Sequence, residues 1–232
     1  MLNYREWYQV NEIFTSIQGE GILAGTPATF IRLQGCPVGC PWCDSGPLAD
    51  ELKGRMTNGE TRNTWGAGGT KMSVPEIISQ VRRVHVIITG GEPIIWDLDA
   101  LIMNLRDNGH YVQIETSGLK DFIGAYLPDH ITISPKAKLN YVMPKELMKV
   151  ADEIKWVVDD ELTFDTVYHS YMDDFFQLMT PLKFVLMPEG CPPSQEHIQK
   201  AMSFLDQFND LEPDLGRRWV FGDRLQYRLG IR

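Results

Sequence analysis

The chain lacks the marks of a secreted or membrane-spanning protein. No apolar run reaches the roughly 20 residues that a bilayer-spanning helix needs, and the first ten residues mix Asn3, Arg5, Glu6 and Gln9 among the apolar ones, unlike a signal peptide. Cysteine is scarce. Of four in 232 residues, three fall within eight consecutive positions, too close for a disulfide framework, so a soluble, cytoplasmic protein in a reducing compartment is expected. Positive charge is also short: 22 Lys and Arg against 31 Asp and Glu leave a net charge of −9. Such a surface repels phosphate backbones, so neither a nucleic-acid partner nor a membrane is expected. Repeats and low-complexity tracts are absent. With 43% hydrophobic residues, ordinary for a globular chain, a single domain over residues 1–232 acting on a small molecule is the expectation.

What is present is concentrated in one loop. Cys36, Cys40 and Cys43 form C-x3-C-x2-C within Gly35-Cys36-Pro37-Val38-Gly39-Cys40-Pro41-Trp42-Cys43-Asp44. Soft thiolates crowded into one loop suit an iron-sulfur cluster, and three of them on a four-iron cube leave one iron open to a small molecule. Zinc is the competing reading. A structural zinc site, however, normally uses four ligands in paired short spacings, and a redox dithiol needs only C-x-x-C. Cys191, beside Pro192 and Pro193, reads as a buried or incidental thiol.

Along the chain, short apolar runs alternate with longer amphipathic ones, the pattern of a parallel sheet covered by helices. Strands are expected at Thr29–Leu33, His85–Thr89, Tyr111–Glu115, Ile131–Ser134, Ile154–Val158, Lys183–Met187 and Trp219–Phe221. Helices are expected after Asp97, read as an N-cap and stopped at Asn108-Gly109; from about 162 to 178; and after Ser194, with Ile198, Met202 and Leu205 facing inward. Six or so βα units are too few for an eight-stranded barrel. An open, partial parallel β/α barrel of about six strands is expected, with its site at the carboxyl ends of the strands. Residues 46–75, rich in Gly, Thr and Asn, read as a surface insertion.

Each strand end carries a small or polar cluster. Thr89-Gly90-Gly91-Glu92-Pro93 lets a ligand approach the backbone and offers Glu92 to an ammonium. Glu115-Thr116-Ser117-Gly118 offers Glu115 to ribose hydroxyls, and Ser134-Pro135-Lys136 sets a cation beside a rigid turn. Arg32, without an evident local partner, suits an anionic substrate. An ordinary turn or a solvated lysine is the alternative at each.

Three further segments complete a recognisable set: Val10-Asn11-Glu12-Ile13-Phe14, Ser16-Ile17-Gln18-Gly19-Glu20-Gly21 and Phe30-Ile31-Arg32-Leu33-Gln34-Gly35-Cys36. The cysteine spacing resembles that of radical S-adenosylmethionine (SAM) enzymes. The whole set, extended by Glu153-Ile154-Lys155, resembles the 7-carboxy-7-deazaguanine synthase family. The resemblance implies a homodimeric enzyme with a radical SAM core that converts 6-carboxy-5,6,7,8-tetrahydropterin to 7-carboxy-7-deazaguanine with loss of ammonia, on the route to queuosine and other 7-deazapurines. It implies a [4Fe-4S] cluster on Cys36, Cys40 and Cys43, SAM bound on the open iron, Mg2+, and an electron donor such as flavodoxin. Trp42, Asp44, Gly91, Glu92, Glu115, Ser134, Pro135 and Lys136 would surround SAM; Ile17, Gln18, Gly19, Arg32 and Thr89 would face the pterin. Ser45 stands where the family usually has Thr, keeping a hydroxyl for Mg2+.

The C-terminal part departs from the family. The usual Gln-Pro after the sixth strand and the late Gln-x-His-Lys are replaced by Leu186-Met187-Pro188-Glu189-Gly190 and Asp223-Arg224-Leu225-Gln226-Tyr227-Arg228. The alternation of polar and apolar residues there predicts a strand or extended segment, with Arg224, Gln226 and Arg228 turned to the pterin or, alternatively, an edge or dimer contact. Two other functions share parts of the pattern: an activase that makes a glycyl radical on a partner protein, and a non-catalytic metal-binding module.

Overall fold

The computed structural model describes residues 6–40, 43, 45, 64, 68–122, 124–170, 182–190, 192–211 and 218–231. Trp42, Asp44, Cys191, most of the 46–75 insertion and the latter part of the helix expected over 162–178 lie outside the described residues.

In chain order the elements are β1 (Trp7–Ile17), β2 (Pro27–Leu33), β3 (Thr70–Ser73), α1 (Val74–Gln80), β4 (His85–Gly90), α2 (Asp99–Asp107), β5 (Tyr111–Thr116), β6 (His130–Ile133), α3 (Lys145–Met148), β7 (Glu153–Val158), α4 (Phe164–Ser170), β8 (Lys183–Pro188), α5 (Gln195–Leu211), β9 (Trp219–Phe221) and α6 (Leu225–Arg228). One sheet holds all nine strands in the order β3-β1-β2-β4-β5-β6-β7-β8-β9. From β2 to β9 every pairing is parallel, whereas β1 and β3 add antiparallel at one edge. The sheet is not closed, and the expected partial barrel is what forms.

All seven expected strands are present within a residue or two. β1 and β3 were not anticipated. β3 takes the end of the presumed insertion, where Thr70 to Ser73 pair with Val10 to Trp7. α1 follows through a capping box: Ser73 Oγ accepts from Glu76 N, and Glu76 Oε2 accepts from Ser73 N at 2.7 Å. The N-cap of α2 is Leu98, not Asp97, although Asp97 Oδ1 still accepts from Asp99 N. In α5 the inward residues are Ala201, Phe204 and Phe208, while Met202 is 45% exposed. Of the three residues expected inward, Leu205 packs against the core and Ile198 is half-buried, while Met202 turns outward; Phe208 stacks on Trp219 at 3.7 Å.

The two faces of the barrel are chemically distinct because successive strand residues point to opposite sides. The outer face packs Ile31, Leu33, Val86, Ile88, Val112, Ile114, Ile131, Ile133, Ile154, Trp156, Phe184 and Leu186 into the core with Leu98, Leu101, Ile102 and Leu105 of the α2 region. The alternate residues, among them Arg32, Thr89, Gln113, Glu115, Thr132, Glu153 and Lys155, face the lumen.

The β1–β2 connection enters this lumen from its amino end. Gln18 Nε2 donates to Glu115 Oε1 at 2.8 Å, Lys155 Nζ donates to Glu20 Oε2 at 2.6 Å, and Ile22 N donates to Glu153 Oε2 at 3.0 Å. Residues 18–22 thus make a floor. Gly21 has φ +72°, and a Cβ there would lie 2.2 Å from Glu153 Oε1, whose side chain is only 1% exposed and has no room to retreat. Gly21→Ala is expected to lower unfolding free energy by at least about 2 kcal/mol, measured by urea denaturation with an unchanged m-value.

Candidate functional site

Above that floor, at the carboxyl ends of the strands, lies a cavity of about 230 Å³. Its wall contains Cys36, Cys40, Cys43, Ser45, Arg32, Thr89, Gly91, Glu92, Glu115, Ser134 and Lys136, together with Ile17, Gln18 and Gly19 from β1 and the floor, and Arg224 and Gln226 from the C-terminal segment. Motifs scattered over 200 positions therefore meet in one space. Pro135 is buried but does not line it.

The three cysteines follow β2 and line the cavity. Cys40 is buried and Cys36 and Cys43 are half-buried, and none of the three is in a disulfide. Burial pushes the Cys40 thiol up to about 11 and raises Cys36 too, against the pull of Lys136 on Cys40 and of backbone N–H groups on Cys36. Held as thiolates, the three would need cationic compensation, which iron could supply. Among the described residues no three His, Cys, Asp or Glu converge closely enough to ligate a single metal ion. A four-iron cube would be held by one thiolate on each of three irons, which the three cysteines of this loop could supply.

Ser45 is buried beside this loop. Thr64 Oγ1 lies 3.3 Å from Ser45 Oγ, and Thr64 N donates to Ser45 O at 2.8 Å. A hydroxyl at the cavity wall fits Mg2+, which keeps most of its ligands as water or substrate oxygen.

Two sequence readings need correction. Arg32 has a local partner: it stands opposite Glu12 in the β1–β2 register, and its Nε donates to Glu12 Oε1 at 2.9 Å, both side chains being 13% exposed. Glu92 is not waiting for an ammonium. Its Oε1 accepts from Thr116 Oγ1 at 2.5 Å and from Ile94 N at 3.3 Å, and its Oε2 accepts from the N–H of Ser117 at 2.8 Å and from its hydroxyl. The carboxylate ties β4 to the turn after β5 and shapes the wall from behind.

The C-terminal segment also differs from expectation. Residues 225–228 form a short helix, so the side chains of 224, 226 and 228 do not share one face. Arg224 and Gln226 reach the cavity, but Arg228 is 71% exposed and pairs with Asp223 at 2.7 Å. Arg228 therefore has no place in the site.

Sequence reasoning also missed residues. Glu20 and Lys155 line the cavity as an ion pair, and Phe14 and Phe30, stacked at 4.9 Å, line it too. For the Lys155 ammonium, burial works downward, but Glu115, Glu20 and Glu153 outweigh it and the net shift is upward. Enclosure lowers Lys136, against the pull of Cys40; its Nζ donates to Ser134 Oγ at 2.7 Å.

No protein-family model matches the chain. It is 34% identical over 203 residues to the 7-carboxy-7-deazaguanine synthase of Aquifex aeolicus, covering 83% of this chain and 82% of that protein. The synthase of Escherichia coli strain K12 is 39% identical over 64% of this chain and 70% of its own length, and that of Bacteroides thetaiotaomicron 35% over 79% and 82%. The crystal structure of QueE from Escherichia coli matches with a TM-score of 0.68 at 30% identity over 94% of both chains. Likeness of this order in sequence and in three dimensions makes the molecule a radical SAM enzyme on an open barrel. The chain belongs to the 7-carboxy-7-deazaguanine synthase family. A glycyl-radical activase or a non-catalytic metal module is not favoured.

Glu92→Gln puts an amide where four donors now converge. It is expected to cost about 2 kcal/mol of stability, read as a fall in the denaturation midpoint.

Proposed function

We propose that this chain converts 6-carboxy-5,6,7,8-tetrahydropterin to 7-carboxy-7-deazaguanine, releasing ammonia, inside the cavity above the 18–22 floor. The observation that carries the reading is that the three cysteines line the same cavity as Arg32, Thr89 and Gln18. Residues suited to holding a cluster and residues suited to holding a substrate thus share one wall.

Cys36, Cys40 and Cys43 would hold a [4Fe-4S] cluster. When bound, the cluster and SAM supply the hydrogen-abstracting radical chemistry. The chain's own residues do the rest. Gly91, Glu115, Ser134 and Lys136 line the part of the wall where SAM would sit. Arg32, oriented by Glu12, would pair with the substrate carboxylate, and Gln18 and Thr89 would hold the ring edge. Ser45 would contribute its hydroxyl to Mg2+, orienting that carboxylate. Flavodoxin as electron donor, a homodimer, and action in the cytoplasm complete the proposal; no helix among the described residues is long and apolar enough to cross a membrane.

Anaerobic protein incubated with SAM, reductant and the carboxypterin is expected to yield the deazaguanine by mass spectrometry. Cys36→Ala, Cys40→Ala or Cys43→Ala should abolish both product and iron, whereas Cys191→Ala should keep both. Iron lost on changing Cys191 contradicts the three-cysteine assignment.

Arg32→Ala should raise the KM for the pterin by about a hundredfold while sparing iron content and SAM binding, because a charge-assisted pair in an enclosed site contributes about 1.5–3 kcal/mol. An unchanged KM makes Arg32 a partner of Glu12 only.

A further inference from the structure

The cavity floor contains a pair of opposite charges to which the reaction assigns no part. Lys155 of β7 has a side chain only 6% exposed, and its Nζ lies 2.6 Å from Glu20 Oε2 and 3.8 Å from Glu115 Oε1. The other oxygen of Glu20 faces the C-terminal segment: Gln226 Nε2 donates to it at 3.0 Å, and Arg224 Nε lies 3.6 Å away. One carboxylate thus joins a barrel strand to the last helix.

That helix has little to hold itself. α6 has four residues, too few to be stable alone, and its N-cap, Arg224, makes no side-chain capping bond. Its anchors lie on the floor. Leu225 N donates to Gly19 O at 2.8 Å. Gln226 Oε1, buried and without a hydrogen-bond partner, presses so closely on Gly19 that a Cβ there would lie 1.7 Å from it. Yet Arg224, Gln226, Tyr227 and Ile231 line the cavity. The placement of this wall therefore depends on residues 18–20, whose central charge is matched by Lys155.

We propose that Lys155, acting through Glu20, is a positioning residue that seats the C-terminal segment as a wall of the substrate site. The proposal deepens the carboxypterin reading and rests on it for the identity of the substrate. Removing the ammonium takes away the cation 2.6 Å from Glu20 and 3.8 Å from Glu115 and leaves Glu20 only the more distant Arg224, whose Nε is 3.6 Å away, a costly state for a buried pair stripped of one partner. Relief comes if the 18–22 loop withdraws, and α6 goes with it. Neutralising Glu20 as well removes most of the strain.

The test uses cluster-loaded Lys155→Met, Glu20→Gln and the double variant. Amide hydrogen exchange is followed over 224–231 and over β4 and β5, together with kcat and KM for the carboxypterin. Lys155→Met is expected to speed exchange in 224–231 by about tenfold or more and to raise KM by a similar factor, with β4 and β5 unchanged. The double variant should recover most of both. Should Lys155→Met not load its cluster, Glu20→Gln, nearly isosteric, decides by showing the same local exchange to a smaller degree. Exchange in 224–231 that matches the unmodified chain overturns the proposal. So does acceleration spread evenly through β4 and β5, or a double variant no better than Lys155→Met. Unmodified enzyme that turns over no carboxypterin overturns the substrate reading, and the exchange pattern then still decides whether the charge pair seats the wall.

Discussion

An open barrel that turns polar and charged side chains inward must satisfy each of them, since a buried group left unpaired costs about 1–3 kcal/mol. This chain meets that demand with one loop. Gln18 bridges Gln113 and Glu115, Glu20 takes the charge of Lys155, and the N–H of Ile22 reaches Glu153. Once the loop is in place the lower lumen is closed and the upper lumen becomes a cavity. At the deepest point compensation is incomplete among the described residues: His130 Nε2 and Glu153 Oε1 have no hydrogen-bond partner, although His130 Nε2 is 3.6 Å from Glu153 Oε2.

The same demand organises the mouth. Glu92 spends its carboxylate on Thr116, Ser117 and Ile94, and Glu92 N donates to Gly35 O at 2.8 Å. The residue thus joins the cysteine loop to the ends of two strands. Arg32 is paired through Nε with Glu12, which fixes the guanidinium before any substrate arrives; such preorganisation lowers the ordering cost of binding.

Much of this was legible in the chain. The seven parallel strands were visible because each is a short apolar run ending in Gly, Pro or a polar cluster, and those clusters are where the cavity opens. β1 escaped notice because its burial alternates only at its start and stays intermediate through the middle. β3 escaped because Thr70 and Lys71 are exposed and the strand is four residues long. The C-terminal segment misled for a different reason: six residues, 224 to 229, are too few to separate a period of 2 from one of 3.6, so Arg228 was assigned inward although it pairs with Asp223 outside. Glu20 and Lys155 were quoted as parts of motifs, but their pairing across 135 positions has no signature in local sequence.

The central claim is that one cavity brings the SAM-derived radical to a carboxypterin and returns the hydrogen afterwards. Substrate deuterated at the ring carbon that carries the carboxylate tests it directly, with recovered SAM examined by mass spectrometry after turnover. Deuterium at the 5′ carbon of SAM, alongside 7-carboxy-7-deazaguanine, is the predicted result. Product formed with SAM wholly free of deuterium would contradict abstraction from that carbon and return to it through SAM.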